Sequence, residues 1–194
     1  MCGLAGVFST NNIGESDSSK VEKMISDLSH RGPDSKGFFK NNNVCLGFSR
    51  LSIIDIRNGN QPFTSANKRY VIIFNGEIYN YLEVKQKLEA KNITFRTNSD
   101  TELLIESFVY WGFDCLKYLN GMFAFAIYDK ELNKLSLVRD RFGMKPIFFV
   151  EKKDQVFFAS ETQALIRSKI IDKNNLNLNS ISTYLTFRQP IISD

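Results

Sequence analysis

The sequence predicts an α+β fold in which two antiparallel sheets are covered by helices. Strand-like runs with alternating apolar residues occur both before and after a pair of helical segments. The later runs form two hairpins, 122–128 with 135–139 and 146–150 with 156–159, each joined by a short polar turn. The regular strand–helix–strand alternation that indicates a parallel sheet is missing, so antiparallel sheets with helices on their faces are the simplest architecture.

Three helices are predicted, over 20–29, 81–90 and 100–111. The first has apolar side chains at the i, i+3, i+4, i+7 spacing of an amphipathic helix, and it ends at the breaker sequence HRGPD. Asn80 and Ser99 are the predicted N-caps of the other two helices. Glu102 would complete a capping box with Ser99.

Further strands are predicted at 3–9, 37–40, 44–50 and 70–75. The first of them consists of small apolar residues, which is typical of a buried strand. Asn-rich polar sequence follows residue 172, and an amphipathic stretch and the apolar run QPII come after it. We interpret this ending as a cut within a longer protein.

Composition and charge limit the classes of function. A chain of 194 residues with 43% hydrophobic residues predicts one large domain with a sizeable core. The net charge is +4, but acidic residues interleave with basic ones and form no basic stripe, which argues against nucleic-acid binding. No run approaches the about 18 apolar residues of a membrane span, and the first residues do not form a signal peptide. We therefore expect a soluble, cytoplasmic protein with no membrane partner.

The cysteines are few and widely separated, at Cys2, Cys45 and Cys115. There is no CxxC pair, and His30 is the only histidine. This pattern predicts neither a metal site nor a disulfide framework, and it favours a reducing compartment.

Cys2 has a special chemistry if Met1 is removed, which is expected because residue 2 is small. Its α-amine titrates at about 7.7–8.0 and a free thiol at about 8.5, so one residue then carries both a nucleophile and a base. Gly3 allows a close approach to this position. Taken alone, however, a cysteine at this position is more often incidental.

The chain carries, in order, the motifs MCGLAGVFS, HRGPDSKGFF, GFSRLSIID, FNGEIYNY, TNSDTELL, NGMFAFAIYD, VRDRFGMKPIFF and FASETQAL. This order resembles the class II, N-terminal-nucleophile glutamine amidotransferases, and most of all the glutaminase domain of glutamine-hydrolysing asparagine synthetases. Relatives that make glucosamine phosphate or phosphoribosylamine carry a Trp- and Thr-containing segment where this chain has RLSI at 50–53. The implied fold is a four-layer α-β-β-α sandwich of the N-terminal-nucleophile hydrolase type. The implied domain covers 1–187, and 188–194 would begin the connection to a C-terminal synthetase domain.

The resemblance implies a role for each site residue. Cys2 would be the nucleophile, and Asn75 and Gly76 would form the oxyanion hole. Arg50 would bind the α-carboxylate of glutamine through its guanidinium fork, and Asp100 would bind the α-ammonium. The remaining substrate-binding positions would be Leu51, Ser52, Ile53, Ile54 and Glu77.

Several of these positions have a second interpretation. Asn75-Gly76 is also the strongest short signal for a hairpin turn. Asp100 lies in the first turn of a predicted helix, where acidic residues are favoured. Arg50 could be a surface arginine at a strand end. His30 could form a Cys–His dyad with Cys2, although the resemblance implies that the amine is the base and that HRGPD shapes the pocket.

Two further segments are interpreted from the resemblance alone. The block 139–146, RDRFGMKP, would brace the core rather than take part in chemistry. Gln163 stands where the family usually has Lys, and this change is expected to bear on how ammonia leaves the site.

The implied activity is hydrolysis of L-glutamine to glutamate and ammonia through a thioester on Cys2. The ammonia would serve ATP-dependent asparagine synthesis from aspartate in the C-terminal domain. No cofactor is expected in this domain, and ATP and Mg are expected only in the synthetase domain, because the chain contains no pyrophosphate-binding loop. A homodimer is a further implied assembly. Two alternatives stay open: amination of a different carboxylate, such as a sugar or natural-product precursor, and a catalytically silent glutamine-binding module.

Overall fold

The computed structural model describes residues 1–174 and 177–188. The strands in these ranges are β1 (Gly3–Ser9), β2 (Ser35–Lys40), β3 (Val44–Arg50), β4 (Phe63–Thr64), β5 (Tyr70–Ile78), β6 (Gly121–Asp129), β7 (Lys134–Arg139), β8 (Phe148–Lys152) and β9 (Gln155–Ala159). The helices are α1 (Glu15–Asp27), α2 (Tyr81–Glu89), α3 (Asp100–Trp111), α4 (Thr162–Arg167) and α5 (Leu178–Phe187), with a 3₁₀ helix at Gly112–Lys117.

The strands form two antiparallel sheets. The larger sheet has the order β2-β3-β1-β9-β8, and the smaller has the order β4-β5-β6-β7. Both predicted hairpins are present, as β6–β7 and β8–β9. The α+β class and the antiparallel sheets predicted from the sequence are therefore confirmed.

Three clusters of buried side chains separate four layers. One cluster joins α1 and α4 to the outer face of the larger sheet, through residues such as Met24 and Leu165. A second joins α2 and α3 to the outer face of the smaller sheet, through Leu88 and Leu104 among others. The third lies between the two sheets and includes Phe48. This is the predicted α-β-β-α stacking, and burial of apolar area between the layers is its main source of stability.

Alternation along the strands determines which side chains enter the gap between the sheets. In β3 the row that faces the gap runs through Leu46 and Phe48, and the next position is Arg50. In β5 the row runs through Ile73, and the next position is Asn75. Both rows thus pass from apolar to polar residues toward the C-terminal ends of their strands.

Several predicted boundaries differ from the structure by a few residues, such as the strand predicted at 146–150, which is β8 at Phe148–Lys152, and two differences are larger or change an interpretation. The first helix begins at Glu15 rather than at residue 20. The residues before Val21 are helical but polar, so they lack the apolar period from which the helix was predicted. Strand β5 continues to Ile78, and Gly76 pairs with Phe123 of β6 inside it. The hairpin-turn interpretation of Asn75-Gly76 is therefore wrong, since this dipeptide lies within a strand.

The predicted cap of the second helix is also wrong in its detail. Helix α2 does follow Asn80, but the side chain of Asn80 makes no cap hydrogen bond. Its Nδ2 donates to the carbonyl of Tyr118 at 2.9 Å, and its Oδ1 accepts from the backbone N–H of Asn120 at 2.9 Å. The side chain joins the α2 start to the segment before β6 instead.

The structure describes the end of the chain only as far as residue 188. Helix α5 occupies the predicted amphipathic stretch, and its larger apolar side chains, including Leu185, are exposed. Of the predicted connection 188–194, all but Arg188 lies outside the described residues. Within the described residues, no helix is long and apolar enough to cross a membrane.

Candidate active site

A pocket opens at one end of the sandwich, where the rows facing the gap become polar. All of the predicted site residues except Ser52 line it. The pocket has a volume of about 130 Å³. A single ordered water needs only about 10–15 Å³, so the pocket has room for more than one water and can admit a small ligand group.

Cys2 enters this pocket because of the register between β1 and β3. Gly3 pairs with Ser49, and one further step of the same antiparallel register places Cys2 opposite Arg50. The backbone N–H of Leu51 donates to Sγ of Cys2 at 3.3 Å. Arg31 holds the other end of the residue, since its Nε donates to the carbonyl of Cys2 at 3.0 Å.

The charge state of the Cys2 thiol results from opposing effects. Burial raises its pKa, and the nearby carboxylate of Asp100 raises it further. The Leu51 N–H, the N-terminal ammonium and the Arg50 guanidinium act in the opposite direction, but the net shift is upward. The resting thiol is therefore protonated at neutral pH, and it needs a base before it can attack a carbonyl.

Asn75 supplies a hydrogen-bond donor that the protein itself does not use. The residue is only 2% exposed. Its Nδ2 is buried and has no hydrogen-bond partner among the described residues. Buried polar groups are nearly always paired, so an orphaned donor in a pocket points to an acceptor on a ligand.

Gly76 follows Asn75 in β5, and packing against β6 leaves no room for a side chain at this position. A Cβ at this position would overlap the carbonyl oxygen of Met122 in β6. The next residue, Glu77, lines the pocket mouth with an exposed side chain.

Asp100 stands at the start of α3, where Ser99 caps the helix by accepting the Glu102 N–H at 3.2 Å. The Glu102 carboxylate turns to the segment before Ser99 and accepts the Thr97 N–H at 2.6 Å, so the predicted capping box is only half formed. Asp100 is 6% exposed and makes no ion pair within the part of the chain that the structure describes.

The Asp100 carboxyl has an unusual pKa as a result. Burial is the largest cause, and it raises the pKa from 3.8 to about 6 against the opposing backbone N–H of Ile78. The charge of Glu77 raises it further. A buried carboxylate that makes no ion pair would be stabilised by a positively charged ligand group.

Arg50 differs from the simple expectation of a free carboxylate-binding fork. Its Nη1 donates to the Ile56 carbonyl at 2.9 Å and to Oδ1 of Asn60 at 3.0 Å. Its Nη2 donates to the Asp55 carbonyl at 2.8 Å, with a longer bond of 3.4 Å to the Ile54 carbonyl. The loop 54–60 thus occupies Nη1 and Nη2, and a ligand carboxylate can bind these two nitrogens together only when the loop carbonyls move away.

Three residues discussed from the sequence lie outside the pocket lining. The Ser52 N–H donates to Oδ2 of Asp34 at 2.7 Å. His30 is exposed, and its Nε2 lies 3.1 Å from Oε1 of Glu161. Gln163 is exposed on α4.

Several lining residues were not assigned to the site by sequence reasoning, and Gln61 and Lys145 are two of them. Gln61 contributes an amide that is hydrogen-bonded to β5 and α3. Lys145 belongs to the predicted bracing block, and its backbone N–H is indeed held by Asp140 at 3.0 Å. Its buried ammonium also lines the pocket and lies 3.0 Å from the Met1 sulfur. Neither residue has a periodicity or motif spacing that reports a position in a pocket.

The fold and this pocket define a glutamine amidotransferase. The chain belongs to that family, because the family model described as "Glutamine amidotransferase domain" matches residues 1–193. Among relatives, it is 41% identical over 192 residues to asparagine synthetase [glutamine-hydrolyzing] 1 of Bacillus subtilis, covering 97% of this chain and 30% of that protein. It is 35% identical over 171 residues to asparagine synthetase B [glutamine-hydrolyzing] of Escherichia coli, covering 86% of this chain and 30% of the relative.

Solved structures share the fold. The glutamine phosphoribosylpyrophosphate amidotransferase of Bacillus subtilis superposes with a TM-score of 0.70 at 21% identity, over 87% of this chain and 44% of that one. A structure described as the allosteric regulatory enzyme of purine biosynthesis gives a TM-score of 0.71 at 23% identity, over 87% of this chain and 43% of that one. The chain spans about 30% of the length of the two synthetases named above, so its family membership concerns this domain.

Proposed function

We propose that this domain hydrolyses L-glutamine to glutamate and ammonia with Cys2 as the nucleophile. The observation that carries the proposal is the buried, unpaired Nδ2 of Asn75 in the pocket that Cys2 lines. A donor held in this way costs free energy in the ligand-free protein, and it recovers that cost when an oxyanion forms beside it.

The proposed reaction begins with a Cys2 whose α-amine has been released by removal of Met1. The neutral amine takes the thiol proton, and Sγ attacks the side-chain carboxamide carbon of glutamine. Asn75 Nδ2 and the backbone N–H of Gly76 stabilise the resulting oxyanion. The protonated amine then gives its proton to the departing ammonia, and the carbon–nitrogen bond breaks to leave a γ-glutamyl thioester. Water hydrolyses the thioester, which releases glutamate and restores the thiol.

Recognition of glutamine would involve both of its α-substituents. The α-ammonium pairs with the Asp100 carboxylate. Burial disfavours the ionised form of this carboxyl and raises its pKa, and a bound cation would stabilise the ionised form. The α-carboxylate binds Arg50 in exchange for the carbonyls of the loop 54–60. The other expected contacts are Leu51, Ile53, Ile54 and Glu77, whereas Ser52 lies outside the pocket lining.

The whole protein is proposed to be a glutamine-hydrolysing asparagine synthetase. The named relatives are roughly three times as long as this chain, which supports a C-terminal synthetase domain following it at about residue 187. That domain would use ATP and Mg to convert aspartate and ammonia to asparagine, and this domain would need no cofactor. The proposed compartment is the cytoplasm, which suits the free thiols of Cys2, Cys45 and Cys115. Homodimer formation stays a prediction.

The alternatives differ in how well the site supports them. A catalytically silent glutamine-binding module is disfavoured because Cys2, Asn75 and Asp100 are all present and line one pocket. Amination of a carboxylate other than aspartate concerns the synthetase domain, and it would be tested by supplying candidate acceptors with ATP and glutamine to the full-length enzyme.

The test is glutamate release by the protein whose loss of Met1 has been verified by intact mass. We expect release from the wild type, a loss of at least about 10³-fold in Cys2→Ala, and no loss in the matched control Cys45→Ala. Equal release by the wild type and Cys2→Ala would contradict the proposal, and so would no release by the correctly processed wild type with its synthetase domain present.

A further inference from the structure

We propose that Gln61 is a positioning residue for this reaction, and that its side-chain amide fixes the strand bearing Asn75 relative to the helix start bearing Asp100. The inference rests on the proposed function of the pocket, and it assigns a role to a residue that no motif identified.

All of the polar groups of the Gln61 side chain bind the protein. Its Oε1 accepts from the backbone N–H of Phe74 at 2.6 Å. Its Nε2 donates to the carbonyl of Phe74 at 3.1 Å and to Oγ1 of Thr101 at 3.1 Å. Because the two Phe74 groups demand an acceptor and a donor respectively, they determine which way the amide is turned.

The position of Gln61 follows from the β4–β5 register. Phe63 pairs with Ile72, and Thr64 pairs with Val71. Two further steps of this antiparallel register place Gln61 opposite Phe74. Pro62 has no N–H to donate, and strand β4 begins only after it. The side-chain amide of Gln61 therefore makes the pair of hydrogen bonds that a backbone neighbour would make to Phe74.

These bonds end on the immediate neighbours of two site residues. Phe74 precedes Asn75, so the bonds to its backbone hold β5 in place at the proposed oxyanion hole. Thr101 follows Asp100 in the first turn of α3. One rigid amide thus connects the group proposed to stabilise the oxyanion to the group proposed to bind the α-ammonium.

The backbone of Gln61 is fixed from the opposite sheet. A Cβ at Gly37 of β2 would overlap the Gln61 carbonyl oxygen, so the two backbones are in direct contact. Gln61 is therefore braced on one side by the larger sheet and bound on the other side to the smaller sheet and α3. The donors and the acceptor of the Gln61 side chain are all bound within the protein. We therefore infer that Gln61 acts by positioning Asn75 and Asp100 and does not contact the reacting atoms.

A double-mutant cycle on glutamate release tests this role. We expect Gln61→Ala to lower kcat about 10- to 100-fold in the wild-type background, and by less than about threefold in the Asn75→Ala background, because its effect on kcat passes through Asn75. The KM for glutamine should also rise through Asp100. Gln61→Glu, which keeps the shape but replaces both donations with a charged acceptor, should not restore kcat. Gln86→Ala, at an exposed glutamine of α2, is the matched control and should leave kcat unchanged.

The outcomes separate this inference from the proposed function. An unchanged kcat in Gln61→Ala, or an equal loss in both backgrounds, would overturn the positioning role while Cys2-dependent release in the wild type stands. An equal loss with a lowered Tm would instead assign Gln61 to general stability. Wild-type release no greater than that of Cys2→Ala would contradict the proposed function itself.

Discussion

The backbone N–H of Leu51 lies 3.3 Å from Sγ of Cys2, so the residue that follows Arg50 donates a hydrogen bond to the proposed nucleophile. This contact and the Arg50 charge favour the thiolate, whereas burial and the Asp100 charge favour the thiol. The site therefore holds its nucleophile protonated until a base acts. Substitution of the surrounding charges should shift that balance in a defined direction.

The first prediction concerns alkylation of Cys2 by iodoacetamide as a function of pH. Asp100→Asn removes a negative charge and should move the Cys2 alkylation curve to lower pH, while Arg50→Gln should move it to higher pH. The modified peptides are counted by mass spectrometry. Cys45 and Cys115 serve as internal controls, because burial raises their pKa values to about 11 and about 12. Shifts of the same sign in both variants would refute this account of the thiol.

The second prediction is a pH dependence of glutamine use that originates in Asp100. Its carboxyl is ionised above its pKa of about 6, and only the ionised form pairs with an α-ammonium. We therefore expect this ionisation to add a limb below that value, on which kcat/KM falls about tenfold per pH unit more steeply than protonation of the Cys2 amine alone makes it fall. Asp100→Asn should have a low kcat/KM and should lack this limb in a pH–rate profile. A limb retained by the variant would assign it to another group.

The third prediction is that the same carboxyl destabilises the ligand-free fold at neutral pH. The folded-state pKa of about 6 lies above the ordinary 3.8, so the folded state binds the proton more tightly. The contribution of Asp100 to the free energy of unfolding is fully present below about pH 3.8. It is lost as the pH rises through about 6, by up to roughly 3 kcal/mol. In urea unfolding, the free energy of unfolding of Asp100→Asn minus that of the wild type should be more positive at pH 7 than at pH 4. The exposed control Asp114→Asn should show no such gain.

The fourth prediction concerns the proposed oxyanion hole. Asn75→Ala removes the donor Nδ2, and we expect kcat to fall about 10²- to 10³-fold with a smaller change in KM, since the bond forms mainly in the transition state. Steady-state glutamate release measures both constants. A variant that raises KM while retaining kcat would show instead that Asn75 binds ground-state glutamine.

The fifth prediction concerns the exchange of partners at Arg50. Arg50→Lys keeps one positive charge but loses the fork that holds Asn60 and the loop carbonyls. We expect a roughly 10- to 100-fold rise in the KM for glutamine, and faster amide hydrogen exchange across 54–60 without ligand. In the wild type, saturating glutamine should alter exchange in the same loop. An unchanged loop in both experiments would contradict the proposed displacement of its carbonyls.

Much of the fold could be predicted because its signals are local. The period-two pattern of the hairpins and the Ser99 cap are properties of neighbouring residues, and the structure contains both. The α1 start was missed because residues 15–19 are polar, and the Asn80 cap was wrong because its amide has better partners at Tyr118 and Asn120. Competition between local and distant hydrogen-bond partners is not encoded in spacing.

The site was predicted by resemblance, and the structure adds what spacing alone lacks. The alternation in β3 and β5 points Arg50 and Asn75 toward the same gap, but only the pairing of strands brings the two rows together. Gln61 had no signal of its own, because its role depends on the register of β4 against β5. The occupation of Arg50 by its own loop likewise appears only in three dimensions.

The central claim is that Cys2 is the nucleophile, and covalent capture tests it most directly. The Met1-processed protein is incubated with a diazo-ketone analogue of glutamine, with and without excess glutamine, and the modified residue is located by peptide mass spectrometry. We predict one adduct on Cys2, protection by glutamine, and no adduct on Cys45 or Cys115. An adduct on either of those cysteines with Cys2 unmodified, or labelling of Cys2 that glutamine does not slow, would contradict the account.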